Sequence, residues 1–373
     1  MAARPAWIAG WTAQHVRHAA AVLKQGGNPA ARVYESIGPD FFLAVAPGWL
    51  NLGLWEGPGS EGESEQACRR LVRTLASALP TGGVILDVGN GLGTQDCVIA
   101  ETSRPRRLVA VNITEWQLTA GRDRLRQAGA VPVAGDAARL PIADQTMDGI
   151  ISVEAAFHFR SLKAFFAECH RVLRPGGVLS ISDISVQRWP VTPAELLAGL
   201  TQLRVFGLRR TMAMTAEQIA AQARAAGLAE VQVRRCGERV IAPALRLTAQ
   251  RLNSTTAAPA GQHAAARLLL RQVNLLWQRQ IIDYLLLRAI RPLPAQPHAT
   301  PAAQPDLSGK RLDDPADQRP ATTAHQPDTP VAADSEPGRG FRSAAWLADL
   351  RRDGRLFWFG DLRCGRRSGE PLR

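Results

Sequence analysis

Short runs of aliphatic and β-branched residues alternate with longer amphipathic segments through the middle of the chain. Four of these runs predict strands, at residues 84–88, 107–111, 147–153 and 178–182. The stretches between them, such as 116–127 and 162–173, repeat apolar residues at helical spacing. Strands that alternate with helices indicate βαβ units. The pattern therefore predicts an α/β fold with a parallel sheet covered on both faces.

Helical spacing also dominates on both sides of this region. Residues 1–79 predict helices at 12–23 and 65–79 with a glycine-marked flexible loop between them. Beyond residue 182 the pattern predicts four helices, at 190–210, 215–226, 242–252 and 264–278, and the last two strands, at 231–233 and 281–287. Thr215 is the expected N-cap of its helix.

The composition changes after residue 292. Residues 293–340 are rich in proline and hold almost no large apolar side chain, which predicts a disordered linker. Residues 341–373 regain aromatic residues among many arginines. The sequence thus predicts four parts: a helical N-terminal region at 1–79, an α/β domain at 80–292, the linker at 293–340 and a basic C-terminal extension at 341–373.

The net charge is +12, and nearly all of the basic residues are arginine. Residues 339–373 contain nine arginines and only four acidic residues. Much of the excess positive charge therefore lies outside the α/β domain. The charge allows a nucleic-acid partner but does not argue for one, and we expect none.

Five cysteines lie far apart without C-x-x-C spacing, which predicts neither a structural zinc site nor a disulfide framework. The N-terminus lacks the apolar core of a secretory signal, and no uncharged apolar run reaches the length of a membrane span. We therefore expect a soluble, cytoplasmic protein without a bound metal.

The first predicted strand carries an acid, Asp87, and runs directly into Gly89, Gly91 and Gly93. Glycines after a first strand let the backbone approach a bound nucleotide and leave helix N–H groups facing it. A dinucleotide fingerprint would need glycine where the chain has Thr94. The spacing is instead typical of an S-adenosylmethionine (SAM) loop, the alternative being a glycine-rich turn without a ligand.

Two polar residues follow the next strands. Asn112 ends the second predicted strand, nineteen residues after Gly93, where a nucleotide fold places its ribose-binding residue. Its amide donates and accepts hydrogen bonds without the charge of the more usual Asp or Glu. A third candidate strand ends just before Gly135, between those predicted at 107–111 and 147–153, and Asp136 follows it. A carboxylate there can bind an adenine amino group, and the alternative is an ordinary turn aspartate.

These motifs resemble those of class I SAM-dependent methyltransferases, over residues 50–292. The matches are residues 87–93 to the family's first motif, Asp136 to the adenine-side motif, 172–177 to the turn before the fifth strand, and 282–291 to the final strand. The resemblance implies a Rossmann-like, seven-stranded sheet with helical insertions. It also makes 1–79 a helical N-terminal lid and 80–292 the methyltransferase domain.

A closer resemblance is to bacterial natural-product O-methyltransferases that tailor macrolide- and microcystin-type metabolites. It lies in segments 51–55, 112–117 and 154–159, and asparagine at the ribose position is familiar in that subgroup. Leu54 stands where the lid motif more often has tyrosine. The resemblance implies SAM as the cofactor and a set of cofactor-binding residues: Asp87, Gly89, Asn90, Gly91, Gly93, Asn112, Ile113, Gln117, Asp136, Ala137, Glu154 and Trp55.

Methyl transfer to a hydroxyl is an in-line displacement. The enzyme must align the acceptor with the methyl group, exclude water and remove the proton of the hydroxyl. His158 lies past the strand predicted at 147–153, and Asp183 follows the strand predicted at 178–182, at the sheet edge where such folds bind ligands. By similarity to sugar O-methyltransferases that pair a histidine with an aspartate, we assign His158 as candidate general base and Asp183 as its supporting partner. The alternatives are a packed histidine and a helix N-cap aspartate.

The acceptor pocket is expected between residues 1–55 and the inserted helices at 190–214 and 242–280, which are apolar and studded with arginine. Such a lining predicts an amphipathic, medium-sized organic acceptor. The loop at residues 50–62 is expected to become ordered when SAM binds. Three hypotheses remain open. They are O-methylation of a secondary metabolite, C- or N-methylation of a lipid-like or amine acceptor, and SAM or nucleotide binding without catalysis.

Overall fold

The computed structural model describes residues 44–205, 213–254 and 260–294, and for 260–263 the backbone alone. All of them fall within one unit, Met1–Pro294. The helix predicted at 12–23, nearly all of the linker and the C-terminal extension lie outside the described residues.

Seven strands within the described residues form one sheet. They are β1 (Val84–Val88), β2 (Arg107–Asn112), β3 (Ala130–Ala134), β4 (Met147–Val153), β5 (Leu173–Val186), β6 (Ala229–Arg235) and β7 (Ile282–Ile290). Their order is β3-β2-β1-β4-β5-β7-β6. The predicted α/β fold with a seven-stranded sheet is confirmed.

The sheet is mixed, whereas the alternating pattern alone predicted a parallel one. The pairs from β3 to β5 run parallel, but β7 runs antiparallel to both β5 and β6. The reason is where the chain enters this strand: Ile282, at the start of β7, pairs with Val186, at the end of β5. The last strand therefore begins at the edge where the parallel strands end.

Helices cover both faces of the sheet. They are α1 (Ser64–Ala76), α2 (Thr94–Ser103), α3 (Glu115–Ala120), α4 (Arg122–Gln127), α5 (Leu162–Val172), α6 (Pro193–Val205), α7 (Ala216–Ala225), α8 (Ile241–Ser254) and α9 (Ala260–Gln278). Thr215 caps α7 as predicted, because its hydroxyl accepts a hydrogen bond from the Gln218 N–H. Short 3-10 turns lie at Glu61–Glu63, Ala156–His158 and Gly237–Arg239.

Two elements differ from the sequence prediction. The helix expected at 116–127 is broken into α3 and α4 at Gly121, where an added Cβ would lie 2.5 Å from the Leu92 carbonyl oxygen. The fifth strand is longer than expected, since β5 pairs with β7 from Val178 to Val186. Asp183 therefore lies within β5 rather than after it.

Each face of the sheet supports its own apolar core. Along β1, Ile85 packs into the layer that contains Trp49, Trp55 and α1. Its neighbours Leu86 and Val88 pack into the opposite layer, with Phe165, Phe166 and Ile219 among its members. This alternation is typical of a sheet buried on both faces.

The glycine-marked segment before α1 is packed rather than open. A Cβ added at Gly53 would lie 2.9 Å from the Cβ of Ala67, and one at Gly59 would lie 2.2 Å from the Pro243 carbonyl oxygen. Both glycines have positive φ. The segment is thus seated against α1 and α8.

Within the described residues, no helix has the length and apolarity needed to cross a membrane. The expected cytoplasmic location stays a prediction.

Candidate active site

The loop between β1 and α2 forms the floor of a cleft at the carboxyl edge of the sheet. Gly89, Gly91 and Gly93 have positive φ, at 82°, 59° and 80°, which other residues rarely adopt. A Cβ at Gly89 would lie 2.4 Å from the Cβ of Ala155. A Cβ at Gly91 would lie 3.1 Å from Leu50 and narrow the space between that side chain and the loop. Glycine therefore keeps the backbone accessible to a ligand.

Most of the site residues predicted from the sequence line this cleft together. They come from the glycine loop, the end of β2, the turn after β3 and the segment after β4: Gly89, Gly91, Asn112, Ile113, Gln117, Asp136, Ala137, Glu154 and His158. Residues far apart in sequence meet here because the parallel strands that carry them end at the same edge.

Asn112 is the centre of a side-chain network in the cleft. Its Nδ2 donates to Gln117 Oε1 at 3.0 Å and to Asn90 Oδ1 at 3.3 Å, and its Oδ1 accepts from the Thr114 N–H at 2.9 Å. The network fixes the glycine loop relative to the end of β2. Across the cleft, Asp136 accepts from the Ala138 N–H at 2.9 Å and pairs with Arg160 at 3.3 Å.

Three predicted cofactor-binding residues shape the loop from beneath without lining the cleft. Asp87 is fully buried, and both of its carboxylate oxygens accept from Gln95 Nε2, at 2.9 and 2.8 Å. Asn90 is also buried and donates to Asp96 Oδ2 at 3.2 Å. Gly93 is the left-handed residue from which α2 begins.

Asp87 and Asp96 form a buried carboxyl pair under the loop. Burial raises the pKa of Asp87 from 3.8 to about 7, against the hydrogen bonds that lower it. Burial raises the pKa of Asp96 as well, and the nearby Asp87 charge raises it further. The Oδ1 atom of Asp96 is buried without a hydrogen-bond partner among the described residues. Because the two buried carboxylates would repel each other if both were ionised, the pair favours sharing one proton.

Trp55, predicted to bind the cofactor, does not line the cleft. Only 1% of its surface is exposed, and it packs in the core beside α1. Its Nε1 donates to the Leu52 carbonyl oxygen at 2.8 Å, and its own carbonyl accepts from Arg239 Nε at 3.1 Å. The indole therefore anchors the segment before α1 to the domain, and Leu50 from that segment lies over the glycine loop instead.

Glu154 joins three elements at the end of β4. Its Oε1 accepts from the Leu52 N–H and from the Tyr284 hydroxyl, both at 2.8 Å. Burial raises the pKa of Glu154 to about 7, although both hydrogen bonds oppose that shift. The backbone of Glu154 has a φ of 49°, which is uncommon for a residue with a side chain. These contacts hold the N-terminal segment, β4 and β7 together at the mouth of the cleft.

Asp183 contacts the backbone of the turn that follows β4 and ends at His158. His158 ends the Ala156–His158 turn and is half-buried, and its withdrawal from bulk water lowers its pKa from 6.5 to about 3. Asp183 accepts from the N–H groups of Ile184, at 2.9 Å, and of Phe157. Burial raises the pKa of Asp183. Asp183 thus supports the turn through the backbone beside His158, and it is not a helix N-cap.

A second, larger cavity of about 520 Å³ adjoins the cleft. Its wall is mostly apolar and combines the segment at 44–52 with residues of α6, α8 and α9. The regions expected to build an acceptor pocket therefore surround one cavity. Leu50, Glu154 and His158 line both the cleft and this cavity. A group bound in one can approach a group bound in the other at these three side chains.

Known proteins are similar to this chain in sequence and in fold. Residues 86–181 match a family model described as a methyltransferase domain. Erythromycin 3''-O-methyltransferase from Saccharopolyspora erythraea is 32% identical over 224 residues, which are 57% of this chain and 72% of that enzyme. The chain is a class I SAM-dependent methyltransferase. The sheet order with an antiparallel β7 is the arrangement of this family.

Two further proteins are similar to this chain, one in part of its sequence and one in its fold. The 24-methylenesterol C-methyltransferase 2 of Arabidopsis thaliana is 34% identical over 128 residues, 32% of this chain and 35% of that enzyme. The cyclopropane synthase MmaA2 from Mycobacterium tuberculosis has a similar fold, with a TM-score of 0.59 and 18% identity over 69% of this chain and 95% of that chain.

SAM is the methyl donor of this methyltransferase, and the cleft fits such a ligand. The glycine loop keeps open the space that a Cβ would fill. The amides of Asn112 and Gln117 offer both donors and acceptors to ribose hydroxyls, and the carboxylate of Asp136 offers an acceptor to an amino group. Family membership also makes the protein an enzyme rather than a binding module.

Several residues of the methyltransferase site escaped sequence reasoning. Gln95 and Asp96, in the first turn of α2, are buried beneath the loop, and Arg160 pairs with Asp136. Two polar residues directly after a glycine loop were a usable signal for the first pair. Tyr284 gave no signal, because its partner Glu154 is 130 residues away in the chain.

The substitution Asp96→Asn is expected to stabilise the methyltransferase more at pH 8 than at pH 5. A raised pKa means that the folded state favours the protonated acid. For Asp87, stability is therefore lost as the pH rises from 3.8 through about 7, and the raised pKa of Asp96 acts in the same direction. The new amide would donate to Asp87 and accept from Asn90 without a shared proton, so we expect a gain of about 1–3 kcal/mol at pH 8. Urea unfolding of both proteins at the two pH values measures it. An equal change at both values would contradict the shared-proton account.

Proposed function

We propose that the protein methylates a hydroxyl group of a medium-sized, largely apolar secondary metabolite, with His158 as proton acceptor. One observation carries this proposal: the cofactor cleft and the apolar cavity meet at Leu50, Glu154 and His158. The relative from Saccharopolyspora erythraea is an O-methyltransferase by name, which supports the same chemistry here.

The character of the cavity supports a bulky apolar acceptor. Leucine, isoleucine and valine side chains dominate its wall, and pockets of a few hundred Å³ accommodate molecules of drug size. Trp189 and Leu196 on its rim are about half exposed, at 55% and 47%. Burial of an apolar acceptor against these groups would supply binding energy remote from the reacting hydroxyl.

His158 is suited to receive the proton of the acceptor hydroxyl. With a pKa of about 3, its imidazole is neutral at physiological pH, the form that can accept a proton. It is a weak base. An alcohol oxygen that gains a methyl group while still protonated becomes a strong acid, however, so the transfer to imidazole turns favourable as the new bond forms. Asp183 keeps the turn in place through the Phe157 N–H.

When bound, SAM supplies an electrophilic methyl group. We propose that the cleft residues Gly89, Gly91, Asn112, Ile113, Gln117, Asp136, Ala137 and Glu154 contact it, and that Asp87, Asn90 and Gly93 shape the loop beneath it. Trp55 is left out of this set because it is buried in the core. The N-terminal region at 1–79 remains our proposed lid, carrying Leu50 and Leu52 over the two cavities.

A direct test is SAM turnover with a panel of apolar alcohols and phenols. We expect S-adenosylhomocysteine to form together with a methyl ether, identified by mass spectrometry, for hydroxylated members of the panel. The matched methyl ethers of the same compounds serve as controls and should not react. A product methylated at carbon or nitrogen, from a panel that includes alkenes and amines, would contradict O-methylation.

C-methylation of a lipid-like acceptor is the second candidate. It is favoured by the apolar cavity together with the similarity to a sterol C-methyltransferase over about a third of this chain. In that reaction His158 need not accept a hydroxyl proton, which separates the two candidates experimentally.

A further inference from the structure

Gln202 is a buried polar side chain in the apolar wall of the acceptor cavity. It lies on α6 and is 8% exposed. Its neighbours on the same helix, Leu196, Leu200 and Leu203, line the cavity with it. A leucine at this position would continue the wall, so the amide needs a reason other than packing.

The hydrogen bonds of Gln202 leave one of its polar atoms unused. Its Nε2 donates to the Leu269 carbonyl oxygen at 3.4 Å and to Gln272 Oε1 at 3.3 Å, both on α9. The Leu269 carbonyl oxygen can only accept, so it identifies the end of the Gln202 amide that is the nitrogen. The other end, Oε1, is buried and has no hydrogen-bond partner within the described residues.

A buried carbonyl oxygen without a hydrogen-bond partner is costly, and only a hydrogen-bond donor satisfies it. Burial has removed its water, and no group of the described residues replaces that water. Both bonds of the Nε2 are long, so the side-chain amide can turn its oxygen toward the cavity at little cost. A neutral hydroxyl is the donor that best suits a wall of leucine and valine, since a cation would lose far more hydration.

We propose that Gln202 Oε1 accepts a hydrogen bond from a second hydroxyl group of the acceptor, separate from the one that is methylated. The acceptor is then an apolar molecule with at least two hydroxyls, one at His158 and one at α6. This assignment rests on the proposed function only in naming the bound molecule as the methyl acceptor. A site built to bind a hydroxyl discriminates strongly against the analogue that lacks it.

The test compares diols with the matching mono-alcohols by isothermal titration in the presence of S-adenosylhomocysteine. Probes are linear α,ω-diols and 1-alkanols of graded chain length, together with estradiol and its 17-deoxy analogue. The diol preference is the Kd of the mono-alcohol divided by the Kd of the matching diol. For at least one pair, this preference should be about tenfold larger in the wild type than in Gln202→Met, because a tenfold change in affinity corresponds to one hydrogen bond to a buried acceptor. Methionine keeps the length of the side chain and removes its oxygen.

Gln272→Leu is the matched control, because it removes a neighbouring amide and leaves Gln202 Oε1 in place. The diol preference should survive in this variant, and thermal unfolding should show both variants folded. A ratio that Gln202→Met leaves unchanged, or a panel in which no diol binds the wild type, would overturn the proposal. Binding is measured without turnover, so absence of O-methylation would refute the proposed function while leaving the diol preference to be judged separately.

Discussion

Replacing His158 with alanine is expected to lower kcat for O-methylation by about 10²–10⁴-fold, the usual contribution of a positioned proton acceptor. The imidazole lines both cavities, so its loss removes the group that we propose contacts the acceptor hydroxyl and leaves the residues of the glycine loop in place. Single-turnover rates with saturating SAM measure the effect. SAM affinity, titrated in parallel, should stay within about threefold, a change of at most about 0.65 kcal/mol.

The pH profile of the same reaction carries a second readout. Because withdrawal from water lowers the pKa of His158 to about 3, its neutral form persists well below the ordinary imidazole value of 6.5. The wild type should therefore show no loss of kcat at pH 6.5 that is due to this histidine. His158→Gln, which keeps a hydrogen-bonding amide but accepts no proton, is the matched control and should be nearly as slow as His158→Ala. Full turnover in His158→Ala would exclude the deprotonation mechanism and favour C-methylation.

The sequence predicted this site as far as local signals reach. Each signal used here depends on a short stretch of chain: the alternation of strands and helices, the acid followed by three glycines, and the polar residues at strand ends. They placed Gly89, Asn112, Asp136 and His158 at one edge of the sheet, where the structure has them. Parallel strands make such inferences possible, because their ends share an edge whatever the loops between them do.

What the sequence did not predict depends on partners far away in the chain. The length of β5, and with it the place of Asp183 inside a strand, is set by pairing with β7 about one hundred residues later. The same holds for the bond between Glu154 and Tyr284, and for the orphaned oxygen of Gln202 between α6 and α9. No periodicity within a short window contains these contacts.

Trp55 shows how a motif can mislead about the role of a single residue. It stands in a segment that resembles a lid motif, and an aromatic residue there suggests contact with a nucleoside. The structure uses its large apolar surface in the core instead, among side chains of α1 such as Leu71 and Cys68. The neighbours Leu50 and Leu52 face the cavities. A lid segment needs both kinds of residue, since the groups over the ligand are useful only if the segment is anchored.

Trp55→Ala is accordingly expected to destabilise the fold by about 3–5 kcal/mol, the range for removing a fully buried aromatic side chain. The loss combines a cavity beside α1 with a broken hydrogen bond from Nε1 to the Leu52 carbonyl oxygen. Urea unfolding of the protein without ligands measures it. SAM affinity of the fraction that remains folded should change little, because the indole does not line the cleft.

Two variants separate anchoring from cofactor contact. Trp55→Phe keeps most of the apolar surface and should recover much of the lost stability. Trp189→Ala removes the same side chain from a site that is 55% exposed, and it should change the free energy of unfolding far less. If Trp55→Ala unfolded at the same urea concentration as the wild type yet bound SAM more weakly, the indole would act on the cofactor, and the anchoring role would be refuted. The stability of the lid segment, rather than an aromatic contact, is therefore what we expect to link this residue to methyl transfer.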